Sequence, residues 1–166
     1  MKITFRPITA DDLLFLKQVY RSTREEEMNL TDWDDEKKSG FIDQQFNAQH
    51  DYYQQVYNDA RFDIILIDGE QAGRLYLWES NHQIRIVDIS FLPGFRNRGA
   101  GTHIFEELID KSENTGKILS IHVEYYNRAL RFYNRLGFKT KDQTGVYYYM
   151  EREPLDSFKK ENSSQN

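Results

Sequence analysis

The stretch that most limits the fold of this chain runs from Val87 to Leu108 and reads VDISFLPGFRNRGAGTHIFEEL. An apolar strand-like run ends at a Pro-Gly pair, a loop rich in arginine and glycine follows, and a helical pattern then begins. A loop of this kind lets the backbone approach a ligand closely, and the helix that follows brings unpaired N–H groups and a favourable dipole. The stretch therefore predicts a strand–loop–helix unit that holds a phosphate group.

The loop sequence nearly matches two nucleotide-binding motifs but satisfies neither of them. Gly94 and Gly99 satisfy G-x-x-x-x-G, but Ala100 and Gly101 stand where a P-loop requires Lys and then Ser or Thr. The dinucleotide-binding pattern G-x-G-x-x-G fails as well, because Ile104 occupies the third glycine position. The loop is therefore neither an NTPase loop nor a dinucleotide fingerprint.

The remaining interpretation of the loop is physical. Arg96 and Arg98 would add positive charge near the start of the helix, and the Thr102 hydroxyl could donate one more hydrogen bond to a phosphate. The alternative is a plain tight turn whose arginines are solvated. The spacing favours the phosphate site.

Length, charge and cysteine content exclude several classes of protein. The chain has 166 residues, enough for one domain with a core, and its net charge of -5 does not suggest a general nucleic-acid-binding surface. It contains no cysteine, so a disulfide framework, a thiolate metal site and a cysteine nucleophile are excluded. No apolar run approaches the roughly 20 residues of a membrane span. We expect a cytoplasmic protein with neither nucleic acid nor a membrane as partner.

The hydrophobic periodicity predicts a mixed α/β domain with element order β-α-α-β-β-β-α-β-α-β. A strand, a helix and a further strand in succession favour a central parallel pair, and the rest of the sheet should be antiparallel. Residues 1–153 are expected to form one domain, and the polar residues 154–166 a flexible tail. The expected strands are 2–8, 62–67, 72–78, 83–92, 117–123 and 145–152, and the helical stretches are 11–28, 30–57, 102–112 and 127–138.

Two motifs carry a resemblance to a known family. RNRGAG, residues 96–101, resembles the R/Q-x-x-G-x-G/A signature of the GNAT superfamily of acyl-CoA-dependent N-acetyltransferases. NRALRFYNRLGF, residues 127–138, resembles the later N-x-A-x-x-x-Y-x-x-L-G-F block. The similarity covers roughly residues 2–153 and extends to a bacterial branch of the family for which no acceptor is implied. It implies a GNAT-like, mostly antiparallel sheet whose central parallel pair splays apart at the acyl-CoA site, with about four flanking helices.

The resemblance implies acetyl-CoA as the co-substrate. Its pantetheine arm would run along Phe91 and Leu92, with Asn127 as a further contact, and the backbone from Ile89 to Phe91 would polarise the thioester carbonyl. The pyrophosphate would lie on backbone N–H groups of Arg96, Asn97, Arg98, Gly99, Ala100, Gly101 and Thr102.

The implied reaction is direct attack of a primary amine on the thioester in a ternary complex, which suits a chain without cysteine to carry an acyl intermediate. The resemblance assigns to Tyr133 the protonation of the leaving thiolate. The other interpretation of Tyr133 is a core aromatic ring with a solvated hydroxyl. A catalytically silent acyl-CoA-binding or interaction module on the same fold is the alternative to an enzyme.

Two side chains are candidate general bases. Asp88 is a carboxylate inside the apolar run from Ile84 to Leu92, where it could accept a proton or could simply be bonded to an arginine. His122 lies on a predicted strand, on the same face as Glu124, and histidine titrates near neutrality. A reaction without a side-chain base is the third possibility.

The acceptor side of the molecule is less specified. The second helical stretch is rich in Gln and Tyr, and the preceding run TREEEMNLTDWDDE is acidic, which could attract a cationic amine or could be a solvated helix end. A small-molecule amine and a peptide amine both remain open, as do a monomer and a homodimer. The four histidines do not stand at metal-binding spacing, so we predict no metal.

Overall fold

The computed structural model describes residues 1–155. Its helices are α1 (Leu13–Asn29), α2 (Asp35–Val56), α3 (Ala100–Thr115) and α4 (Leu130–Arg135). Its strands are β1 (Ile3–Pro7), β2 (Arg61–Ile67), β3 (Glu70–Glu79), β4 (Gln83–Phe91), β5 (Ile118–Glu124), β6 (Lys139–Thr144) and β7 (Tyr147–Arg152). The strands form one sheet in the order β1-β2-β3-β4-β5-β7-β6.

The strand directions confirm the predicted mixed sheet. β1 pairs with β2, β5 with β7 and β6 with β7, all antiparallel, whereas β4 and β5 are parallel. The parallel register runs from Gln83 opposite Ile118 to Ile86 opposite Ile121. The last residues of β4, up to Phe91, therefore continue beyond that register.

Two elements differ from the sequence-based expectation. The sequence pattern did not predict β6, because KTKDQT is exposed throughout and lacks the apolar alternation that marks a strand. Its pairing with β7 and a turn at Gly145, where φ is +59°, create it. α4 begins at Leu130 rather than Asn127, so the predicted helix was too long.

The chain divides into two compact units. The first consists of Met1–Tyr76 and Asp88–Ala100. Its helices bury residues at the spacing of one helical face, such as Leu16 and Tyr20 in α1 and Ile42 and Phe46 in α2. These residues pack with Met28 and Ile64 into one hydrophobic cluster.

The second unit consists of Leu77–Val87 and the chain from Gly101 onward. α3 buries Ile104, Phe105 and Leu108. β5 buries every second residue from Leu119 to Val123, and Ser120 is buried as well. This alternation is typical of a strand with one face on a core.

Among residues 1–155, no helix combines the length and the apolar character needed to cross a membrane. Of the predicted flexible tail, only Pro154 and Leu155 belong to the described residues, and the rest lies outside them.

Candidate functional site

The loop after β4 has a backbone shape that suits an anion. A single 3₁₀ turn, Pro93–Phe95, follows the strand, and α3 begins at Ala100. Between them, Asn97 and Gly99 have positive φ values of 60° and 87°. Left-handed residues alternating with ordinary ones turn successive N–H groups toward one side, which creates an anion-binding concavity. A Cβ atom built on Gly99 would have no neighbouring atom within 4 Å, so this backbone is open.

The two arginines of the loop are exposed, and both make local contacts. The Arg96 Nε atom donates a hydrogen bond to the Phe91 main-chain oxygen at 2.9 Å, and its Nη2 donates to the Ser22 hydroxyl at 3.1 Å. The Arg98 guanidinium lies 5.6 Å from the centre of the Phe95 ring. Arg96 thus ties the end of β4 to its own loop and to α1.

The candidate base Asp88 is held in an ion pair. Its Oδ2 atom lies 2.6 Å from Arg74 Nη2, and its Oδ1 accepts a hydrogen bond from the Ser90 hydroxyl at 2.7 Å. Both carboxylate oxygens are therefore engaged, which matches the alternative in which this carboxylate is bonded to an arginine.

Arg74, which the sequence analysis did not single out, lies at the centre of this network. Its side chain is 3% exposed, it also donates to Gln49 Oε1 at 2.8 Å, and it lies 5.0 Å from the Tyr76 ring centre. Burial works against the charged guanidinium, but Asp88 and other nearby groups outweigh it and raise the pKa of Arg74. An arginine inside the apolar run AGRLYLW was the signal that could have found it.

β3 and β4 approach each other closely beside this network. The Leu92 N–H donates to the Ala72 oxygen at 2.8 Å. A Cβ atom built on Gly73 would overlap the Ser90 main-chain oxygen, so only glycine fits there. The end of β4 therefore lies in direct contact with the backbone of β3.

The second candidate base, His122, is exposed on β5 opposite Tyr149 of β7, and the two ring centres are 5.0 Å apart. Partial desolvation, and then the positive charge of Arg85, lower the pKa of His122 below its usual value. The imidazole is thus biased toward its neutral form, which can accept a proton.

Tyr133 lies on α4 and is 7% exposed. Its ring centre is 5.5 Å from Phe105, 5.8 Å from Phe132 and 6.0 Å from Phe138. The ring is therefore held by an aromatic cluster of the second unit. A rotation of the phenol is sterically restricted in such packing.

Asn127 makes a local turn before α4. Its Oδ1 accepts from the Ala129 N–H at 2.8 Å, and its Nδ2 donates to Glu124 Oε2 at 3.1 Å. This Asx-type turn draws residues 127–129 out of the helix, which explains the late start of α4 at Leu130.

A family model described as the acetyltransferase (GNAT) family matches residues 20–138, which is most of the chain. This chain belongs to the GNAT family. Membership in that family confirms the resemblance seen in the sequence.

Known proteins similar to this GNAT chain agree with the assignment. It is 32% identical over 104 residues to the probable N-acetyltransferase san of Drosophila melanogaster. The aligned segment covers 61% of this chain and 53% of that protein. The GNAT chain thus spans about half the length of that curated relative.

Solved structures show the same fold. The PaiA N-acetyltransferase of Thermoplasma acidophilum, in complex with coenzyme A, has a TM-score of 0.67 and 20% identity over 92% of this chain and 99% of its own. A GNAT family acetyltransferase of Elizabethkingia anophelis with bound acetyl-CoA has a TM-score of 0.55 and 19% identity over 91% and 97%.

The predicted residues of this GNAT chain fall in both units. Asp88, Ile89, Phe91, Leu92 and the loop up to Ala100 belong to the first. Gly101 and Thr102, at the start of α3, and His122, Asn127 and Tyr133 belong to the second.

On the predicted acceptor side of the GNAT chain, Gln49 and Tyr53 turn toward β3. Gln49 bonds Arg74, and the Tyr53 ring centre lies 6.0 Å from that of Tyr76. Within residues 1–155, no three His, Asp or Glu side chains are grouped to hold a metal ion, and the absence of a metal stays a prediction.

Proposed function

We propose that this chain is an acetyl-CoA-dependent N-acetyltransferase that moves an acetyl group to a primary amine by direct attack in a ternary complex. The observation that carries the proposal is the open loop with positive φ at Asn97 and Gly99, which stands at the GNAT signature directly before α3. The coenzyme A and acetyl-CoA in the two similar structures support it.

In this proposal the loop binds the pyrophosphate and the end of β4 binds the pantetheine arm. The Phe91 carbonyl accepts a hydrogen bond from Arg96 and points away from β3. In an extended strand the N–H of a residue points to the same strand edge as its carbonyl, so the Phe91 N–H also faces away from β3. Phe91, Leu92 and Ile89 would thus serve the pantetheine and thioester, and Asn127 would contact the arm. The pyrophosphate would take backbone N–H groups of Arg96, Asn97, Arg98, Gly99, Ala100, Gly101 and Thr102.

The chemistry needs a proton donor and a proton acceptor. The amine nitrogen attacks the thioester carbon, the C–S bond breaks, and the sulfur takes a proton from the Tyr133 hydroxyl. The aromatic packing of Tyr133 would keep its phenol in one orientation for that transfer.

The amine must also lose a proton. We favour His122 over Asp88 as the acceptor, because both oxygens of Asp88 are engaged by Arg74 and Ser90. The lowered pKa of His122 keeps its imidazole ready to accept a proton near neutral pH. The remaining possibility is that the amine proton passes to water without a side-chain base.

The first experiment measures thiol release from acetyl-CoA over a panel of small-molecule and peptide amines. The Tyr133→Phe variant should lose about 100-fold in kcat, the lower range for loss of general acid catalysis. Its matched control is Tyr20→Phe, a buried tyrosine of the other unit whose hydroxyl accepts from Arg24. The control should keep the wild-type kcat.

The same experiment decides between the enzyme and the silent module. A wild-type chain that binds coenzyme A tightly yet acylates no amine of the panel would support the module and reject the enzyme. Equal kcat values for Tyr133→Phe and wild type would reject the donor role of Tyr133 alone.

A second experiment tests the loop by calorimetric binding of coenzyme A. Gly99→Glu places a carboxylate on the open backbone of the loop, and it should abolish measurable binding by repelling the pyrophosphate. Gly69→Glu is the control, since Gly69 also has positive φ and open space but lies in the β2–β3 turn. Unchanged affinity in Gly99→Glu would contradict the phosphate assignment.

A further inference from the structure

A buried guanidinium lies beside the part of β4 that the proposed reaction uses. The Arg74 side chain is 3% exposed, and its Nη2 atom is 2.6 Å from Asp88 Oδ2 and 2.8 Å from Gln49 Oε1. One side chain thus joins α2, β3 and β4. Burying an ion pair is costly, so a pair in this position needs a reason beyond general stability.

The Asp88 carboxylate extends the restraint that Arg74 imposes on β4 to a second residue. Asp88 accepts from Arg74 through one oxygen and from the Ser90 hydroxyl through the other. Residues 88 and 90 of a strand point to the same face, so one guanidinium restrains two positions of β4. Gly73 adds to this restraint, because the Ser90 carbonyl rests on its bare Cα.

The other end of the segment is held by different contacts. Arg96 Nε donates to the Phe91 oxygen at 2.9 Å, and the Leu92 N–H donates to the Ala72 oxygen at 2.8 Å. Residues 88–91 are therefore restrained at their start through Arg74 and at their end through Arg96.

We propose that Arg74 is a positioning residue for acetyl transfer. Through Asp88 and Ser90 it fixes the segment 88–91, and with it the main-chain N–H that polarises the thioester carbonyl. Arg74 itself is too deeply buried to touch the substrate. The inference rests on the proposed function, since it concerns the same acetyl transfer.

The proposal predicts a loss of rate rather than of cofactor affinity. A misplacement of about 1 Å at a reacting group can cost about 100-fold in rate. We expect Arg74→Met to lower kcat about 10- to 100-fold. The coenzyme A Kd, to which the pyrophosphate contacts of the loop contribute most, should change less than about threefold.

The infrared frequency of the thioester carbonyl is a second measurement, and it should not change if Arg74 only stabilises the fold. The carbonyl of acetyl-CoA labelled with ¹³C at that position should shift to lower infrared frequency when the wild-type chain binds it, because a hydrogen bond weakens the C=O bond. In Arg74→Met the shift should be smaller. The readout needs no amine, so it is independent of the acceptor.

Two further variants keep the test decisive. Arg74→Lys retains the charge, but its shorter side chain should bring the ammonium less well to Gln49 and Asp88 than Arg74 brings its Nη2 atom, which donates to both. It should therefore show the same defects to a smaller degree and should fold if Arg74→Met does not. Arg6→Met removes an arginine from another carboxylate pair of the same unit, with Asp12. It should lose stability and keep the wild-type kcat and carbonyl band.

The outcomes separate this inference from the proposed function. A wild-type chain that neither binds acetyl-CoA nor transfers its acetyl group rejects both. An active wild type, together with a folded Arg74→Met or Arg74→Lys chain that has the wild-type kcat and carbonyl band, rejects the role of Arg74 only.

Discussion

Single residues decide how β3 and β4 meet. Gly73 has no side chain, and this allows the Ser90 carbonyl to lie against it, while the Arg74–Asp88 pair restrains the same stretch from the side-chain face. The chemistry proposed for β4 thus depends on one glycine and one ion pair that neither bind substrate nor carry a motif.

Gly73→Ala should destabilise the chain by about 2 kcal/mol or more, because the added methyl group overlaps backbone and forces β3 and β4 apart. Urea unfolding measures the loss. The same substitution at Gly40, an exposed position of α2 with open space, should instead stabilise by roughly 0.5–1 kcal/mol through helix propensity. Equal effects of the two substitutions would contradict this account of Gly73.

His122 gives a prediction on pH. Its pKa is lowered, so the proton leaves at a pH below the usual value of about 6.5 for histidine. If neutral His122 accepts the amine proton, kcat/KM should show an acidic limb at that lowered pKa, separate from the limb caused by protonation of the amine substrate itself. His122→Gln should remove this acidic limb from the pH–rate profile. An unchanged limb would assign the titration to another group.

At the scale of elements, local hydrogen bonds set the starts of the helices. The Asp34 side chain accepts from the Lys37 N–H at 2.8 Å and caps α2. Ahead of α1, Asp12 accepts from the Thr9 N–H at 2.8 Å and pairs with both Nη atoms of Arg6 in β1.

The Asp12 contacts predict acid sensitivity. The Arg6 guanidinium, with help from Thr9, holds the pKa of Asp12 at about 2, below the ordinary value of 3.8. The folded-state pKa is depressed, so the stabilisation is complete above pH 4 or so and is lost as the pH falls from about 4 to about 2. Because Arg6 is partly exposed, we expect on the order of 1–2 kcal/mol.

Urea unfolding at several pH values measures this contribution. Asp12→Asn should be less stable than wild type at pH 7 by that amount, and the difference should shrink toward pH 2. The control Asp43→Asn removes an exposed pair, 3.9 Å from Lys17, and should change stability by less than about 0.5 kcal/mol. A difference for Asp12→Asn that does not depend on pH would contradict the assignment.

Elements also show where sequence patterns lose information. The parallel pair of β4 and β5 could be predicted, because strand–helix–strand connections favour it. β6 could not, because its polar residues owe their extended shape to hydrogen bonds with β7 and not to an apolar face. α4 was predicted too long at its start because the Asn127 side chain bonds the Ala129 N–H in a local turn ahead of the helix.

For the molecule as a whole, binding of coenzyme A should stabilise the folded chain by linkage. At a free concentration of 100 times its Kd the gain is about 2.7 kcal/mol, and it should grow with the logarithm of concentration. Urea unfolding across a coenzyme A titration measures it. Gly99→Glu should show no gain at the same concentrations, and a wild-type chain without a gain at saturation would contradict the binding site.

The sequence by itself determined the family, the mixed α/β class and most elements, because periodicity and glycine position act over a few residues. The loop from Arg96 to Gly101 belongs to this local information. Only the tertiary structure decided the surroundings of the candidate groups. Asp88 meets Arg74 across 14 residues, and Arg96 meets Ser22 across 74. Such contacts arise only when packing brings distant segments together, and they place the candidate base Asp88 in a partly buried ion pair with Arg74.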